Sequence, residues 1–126
     1  MAGYSELVRE HFEHPRNAGV LEHPDGVGER SNPVCGDRMT VMVRIEAGRI
    51  AAVRWQTLGC PAAIATSSFA SEWVQGWTLE EVRQLTREAI AEAMGGLPRD
   101  KVHCSVLAAD ALRAAVTDYE RRRGSG

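Results

Sequence analysis

The stretch from Met39 to Thr57 constrains this chain most tightly, because its apolar residues fall on alternate positions. Met39, Val41, Val43 and Ile45 are separated by Thr40, Met42 and Arg44, a period of two that predicts a half-buried strand. Glu46-Ala47-Gly48 reads as a turn. Ile50 to Thr57 forms a second strand, with Val53 and Trp55 on one face and Arg54 and Gln56 on the other, so the two make an antiparallel hairpin. The period then changes. Val106, Leu107, Leu112, Val116 and Tyr119 recur at spacings of three and four, without proline or glycine before Gly124, which predicts an amphipathic helix of about four turns.

Shorter elements fill the remainder. Leu7, Val8, His11 and Phe12 after Ser5 predict a helix that ends before Pro15. Residues 17–33, rich in Gly, Pro, Asp and Asn, read as a loop with a short edge strand near Val27, loose enough to act as a lid. Pro61 suits a first helical position, and the helix it opens carries Phe69, Trp73 and Val74 up to Gly76. Thr78-Leu-Glu-Glu81 is a capping box, and a further helix through Ala89, Ile90 and Met94 stops at Gly95-Gly96. Residues 1–3 and 121–126 read as flexible tails.

At 126 residues, 44% apolar and 25% charged, the chain fits one domain spanning 1–126. Its formal charge of -2 arises from 15 basic and 17 acidic residues mixed along the sequence, which leaves no footprint for nucleic acid or an anionic membrane. No apolar run approaches the roughly 20 residues that span a bilayer, so a cytoplasmic location is expected. Three cysteines without a secretion signal argue for free thiols, metal ligands or catalysis instead of a disulfide framework.

Each cysteine sits at the end of an element. Cys35 lies in the turn before the hairpin, Cys60 follows its second strand, and Cys104 opens the last helix beside His103. The outer ends of a hairpin meet, which brings Cys35 and Cys60 together, and Asp37 points to the same side as Cys35 if the chain is extended there. With His103 this makes three sulfur, one nitrogen and one oxygen donor able to converge on one point. A helix N-terminus favours anions, so Cys104 is expected to ionise more readily than a free thiol. A thiolate is a nucleophile or a metal ligand, and the spacing matches none of the tight zinc knuckles. His11, His14 and His23 lack partners at ligand spacing and read as surface residues; Trp55 and Trp73 read as core, and Trp77 as exposed.

Asn32-Pro-Val-Cys-Gly-Asp37, Leu58-Gly-Cys-Pro-Ala-Ala-Ile-Ala65 and Lys101-Val-His-Cys-Ser-Val-Leu-Ala108, together with His14-Pro-Arg-Asn17, resemble the IscU/NifU-type iron-sulfur cluster assembly scaffolds. The likeness runs from about Tyr4 to Tyr119. It implies an α+β fold with a small antiparallel sheet of about three strands, helices mainly on one face, and a long C-terminal helix. It also implies that Cys35, Cys60 and Cys104 are thiolate ligands, with Asp37 and His103 as the non-sulfur ligands. The cargo would be a [2Fe-2S] or [4Fe-4S] cluster built from iron and from sulfur that Cys104 accepts as a persulfide, with zinc as an alternative occupant. Implied partners are a cysteine desulfurase, an iron donor or frataxin-like regulator, apo acceptor proteins, Hsp70/J-type chaperones and a second copy of the chain.

His103, in place of a lysine, and the short Cys60–Cys104 interval resemble the IscU/NifU branch more than the SufU branch. Two positions depart from the pattern. Bacterial scaffolds of this type carry Leu-Pro-Pro-Val-Lys where this chain has Leu97-Pro-Arg-Asp-Lys101, which leaves chaperone-driven release open, and Pro61 replaces a small flexible residue. Three cysteines are one short of the four thiolates that hold a permanent iron-sulfur carrier, and a mixed fourth ligand leaves an exchangeable corner. The alternatives are a cysteine-nucleophile enzyme, with His103 as base and Asp37 as orienter, and a structural zinc domain for protein interaction.

Overall fold

The computed structural model describes residues 4–33 and 36–124. Ser5 caps α1 (Glu6–Glu13) by accepting from the Val8 N–H. Three strands follow, β1 (Gly26–Ser31), β2 (Arg38–Glu46) and β3 (Arg49–Leu58), antiparallel in the order β1-β2-β3. Ala47 and Gly48, with φ of 52° and 73°, make the two-residue β2–β3 turn, where positive φ at both positions matches the strand twist. The helices α2 (Pro61–Trp73), α3 (Leu79–Arg83) and α4 (Arg87–Ala93) come next, then a 3-10 turn (Arg99–Lys101) and α5 (His103–Gly124). The expected capping box is present at α3, with the Thr78 N–H donating to Glu81 and the Glu81 N–H to Thr78.

The alternating face read from the sequence is the core face. Met39, Val41, Val43, Val53 and Trp55 are buried with Phe69 of α2 and Leu107, Leu112 and Val116 of α5. The glycines of β1 let α5 come close. A Cβ at Gly28 would stand 2.1 Å from the Ala111 carbonyl oxygen, and one at Gly26 2.2 Å from that of Ala115.

The structure departs from the sequence reading at several points. Residues 17–25 form a strap and not a lid. Asn17 and Gly19 exchange backbone hydrogen bonds with Trp55, Arg44 donates to the Glu22 carbonyl, and the Asp25 carboxylate accepts from the Ile45 N–H. The strap thus crosses from the β3 edge over β2 to β1, and beneath it Met42 is buried although it lies on the outer face of its strand. The edge strand near Val27 is β1, and the Asp118 carboxylate accepts from its Val27 N–H.

His11 is no surface residue. It is 3% exposed, with Nδ1 2.7 Å from the Ser68 hydroxyl, which also accepts from the Arg16 N–H. Burial, and then the Arg16 charge, hold its pKa below the ordinary histidine value. Trp77 is half-buried against Trp73, with ring centroids 4.9 Å apart. The last helix has 22 residues and runs through the arginines expected to fray. Residues 1–3, expected as a tail, lie outside the described residues.

Candidate metal centre

Two short segments and one helix start build the centre. Arg38 pairs with Leu58 at the open end of the hairpin, so Asp37 and Gly59-Cys60 leave the sheet side by side. Two backbone bonds, Gly36 N–H to Asn32 and Asn32 N–H to Asp37, close the turn that delivers Asp37. Gly59 makes room for the carboxylate: a Cβ there would stand 2.9 Å from Asp37 Cγ and Oδ1. Cys60 then caps α2 in an extended conformation (φ -73°, ψ 168°), as the following proline requires, and its side chain is not used for capping. The third contribution comes from α5, whose first turn holds His103 and Cys104.

The donors converge. The Cys60 and Cys104 Sγ atoms are 3.8 Å apart, far beyond a disulfide bond, and Cys60 Sγ lies 3.9 Å from Asp37 Oδ2. One ligand atom each from Asp37, His103 and Cys104 falls within 4.8 Å of the others. Four of the five donors read from the sequence thus meet in one place. The fifth, Cys35, lies outside the described residues.

Electrostatics give this cluster its chemistry. Asp37 is 5% exposed and Cys104 is fully buried. His103 Nε2 is 3.4 Å from Asp37 Oδ2, but the two are not aligned for a hydrogen bond, so Nε2 is buried without a hydrogen-bond partner among the described residues. A buried polar atom left unpaired is costly, and a cation placed among the donors would satisfy it. Carboxylate, imidazole and two thiols form a mixed donor set suited to zinc or iron.

Cys104 corrects one expectation. The helix start should favour its thiolate, yet burial pushes its pKa strongly upward, reinforced by Cys60 and Asp37 and opposed by Lys101. Desolvation outweighs the helix dipole, which acts best at partly exposed ends. The thiol therefore favours its protonated form. Cys60 also holds the Lys101 ammonium above its usual range, against the effect of desolvation. Gly59 beside Cys60 is visible in the sequence, but that its missing Cβ admits the Asp37 carboxylate appears only in the fold.

Comparison with known proteins decides the family. The family model of the NifU-like N terminal domain matches residues 3–125. This chain belongs to that family. It is 55% identical to the iron-sulfur cluster assembly scaffold protein IscU 1 of Archaeoglobus fulgidus over 121 residues, covering 96% of this chain and 79% of that protein. It is 46% identical to IscU of Azotobacter vinelandii over 125 residues, covering 96% and 97% of the two. Among solved structures, the N-terminal NifU-like protein of Brucella abortus has a TM-score of 0.75 at 20% identity, with 94% of each chain covered. That likeness shows the fold, which in this chain is α+β with a three-stranded antiparallel sheet and a long C-terminal helix. No helix among the described residues is long and apolar enough to cross a membrane.

Proposed function

We propose that this chain is a scaffold, acting as one domain, on which an iron-sulfur cluster is built and then passed to apo-proteins. The observation that carries the reading is the convergence of Asp37, Cys60, His103 and Cys104 on one mixed-donor site. Its relatives are named as iron-sulfur cluster assembly scaffolds. The cluster is cargo, [2Fe-2S] on our reading with [4Fe-4S] as the larger form. Cys35, Cys60 and Cys104 hold it as thiolates, and Asp37 or His103 holds the fourth corner. An oxygen or nitrogen donor grips iron less firmly than a thiolate and permits release. Zinc fits the same donors as a tetrahedral occupant.

Sulfur comes from the persulfide of a cysteine desulfurase. The Cys104 sulfur attacks the terminal sulfur of that persulfide, the donor S–S bond breaks, and the donor cysteine leaves as a thiol carrying the proton Cys104 gave up. No net oxidation occurs. Burial favours the protonated Cys104 thiol, and a cation held at Asp37 and His103 would favour its thiolate. A cysteine-nucleophile enzyme would have no use for Cys60 beside Cys104, which stands against that reading. An iron donor or frataxin-like regulator and apo acceptors complete the set of partners; the altered Leu97-Pro-Arg-Asp-Lys101 segment weighs against an Hsp70/J-type step. Free Cys60 and Cys104 thiols suit a reducing compartment, which we take to be the cytoplasm.

The test is anaerobic incubation with ferrous iron, a cysteine desulfurase and cysteine, followed by absorption spectroscopy. A visible cluster spectrum in the native chain, lost in Cys60→Ser and Cys104→Ser, is the expected result. A chain that stays colourless overturns the proposal.

A further inference from the structure

Cys104 belongs to a small apolar cluster separate from the main core, made of Ala62, Ala63 and Cys104, all fully buried. Among the described hydrophobic residues, Tyr4 and Cys60 are the partly buried ones packed against it. Asp37 and His103 each bring a ligand atom within 4.8 Å of the same thiol. Tyr4 thus packs against the cluster that holds the thiol without belonging to the ligand set.

The placement of Tyr4 is held from behind. The Ser5 hydroxyl caps α1 and also donates to the Met94 carbonyl at the end of α4, 89 positions away. The Ser5 Cβ lies 3.1 Å from where a Cβ on Gly95 would stand, so the N-terminal arm lies tightly against that helix end. Tyr4 touches both the main core and the Cys104 cluster. Burial raises its pKa first; Lys101 opposes this, while Cys60, Asp100 and Cys104 reinforce it, as expected of a phenol set among the groups of the centre.

We propose that the Tyr4 ring is the cover of the Cys104 thiol, controlling access to it as an access-gating residue, and that local release of the arm at Ser5 exposes the thiol to a sulfur donor. This rests on the scaffold reading for its purpose, but the gate itself is a property of the apo chain. Cys60, half-exposed, reacts first with a solvent-borne electrophile; Cys104 waits for the arm to open.

The experiment uses the full apo chain with an excess of a small maleimide, in the absence of iron, sulfur donor or partner protein. The modification rate of each cysteine is read by peptide mass spectrometry. Tyr4→Ala should speed labelling of Cys104 by about tenfold or more while leaving that of Cys60 within about twofold, and Tyr4→Phe should behave as the native chain. The accelerated rate should stay flat across low urea, because a local opening exposes little surface, whereas global unfolding would make it climb. An unchanged Cys104 rate in Tyr4→Ala overturns the proposal, and so does a rate that climbs with urea like the unfolding equilibrium. A chain that builds no cluster in the assembly assay yet shows the gated labelling would sink the scaffold reading and leave the gate intact.

Discussion

Removing the Cys104 thiol should change how many protons the centre releases when it takes up a metal. Its pKa is raised by burial above the ordinary thiol range, so across neutral pH the apo chain carries that proton. A metal-bound thiolate does not, so binding must expel it. One released proton makes the apparent affinity rise about tenfold per pH unit, or about 1.4 kcal/mol. From about pH 6 to about pH 8, Cys104 alone therefore contributes about 2.7 kcal/mol of pH-dependent zinc affinity. The sign is fixed: affinity increases with pH until the raised folded pKa is passed. Titration calorimetry with zinc, in two buffers of different ionisation enthalpy, counts the protons directly. Cys104→Ser should release about one proton fewer than the native chain at the same pH, with a correspondingly shallower rise in affinity. Equal proton release by the two chains would refute the argument that a buried, protonated Cys104 becomes a ligand.

Gly59→Ala places a methyl 2.9 Å from the Asp37 carboxylate and 3.1 Å from the Ala63 methyl, and should cost about 1–3 kcal/mol in urea unfolding while weakening zinc binding more than the remote Gly48→Ala does. Gly28→Ala meets the Ala111 carbonyl at 2.1 Å, where backbone cannot yield, so a loss of about 3 kcal/mol with no selective effect on zinc is expected from denaturant midpoints. His11 has a folded pKa below its unfolded value of about 6.5, so the unfolded chain binds more protons there and stability is lost as pH falls below about 6.5, by at most about 1.4 kcal/mol per unit. Urea midpoints at about pH 7.5 and pH 5.5 should show a smaller acid loss in His11→Gln than in the native chain; an equal loss would place the acid sensitivity elsewhere.

Much of this fold could be read from local patterns because local physics sets it. The period of two through Met39–Ile45 and Val53–Trp55 names the core face, Pro61 marks the start of α2, and Thr78 with Glu81 marks that of α3. What escaped the reading depends on neighbours distant in sequence. His11 is buried because Ser68, 57 positions away, supplies its hydrogen bond, and Met42 because the strap crosses over it. Gly26 and Gly28 look like loop glycines until α5 packs against them. The same applies at the centre. The convergence of Asp37, Cys60, His103 and Cys104 follows from element ends meeting, whereas the ionisation of Cys104 does not follow from its place at a helix start. A helix start is visible in sequence, but the Ala62–Ala63–Tyr4 surroundings that desolvate the thiol are not.

The central claim, that this site holds a cluster in order to give it up, is tested most directly by transfer. The chain is loaded anaerobically with a cluster, mixed with an apo-ferredoxin in the presence of a chelator that captures free iron, and followed by circular dichroism in the visible range. The account predicts that the ferredoxin signal grows at the expense of the scaffold signal, and that Asp37→Ala, which removes an oxygen donor from the exchangeable corner, changes the rate of that growth. A cluster that stays on the chain, or reaches the ferredoxin only after its iron has passed through the chelator, would contradict it.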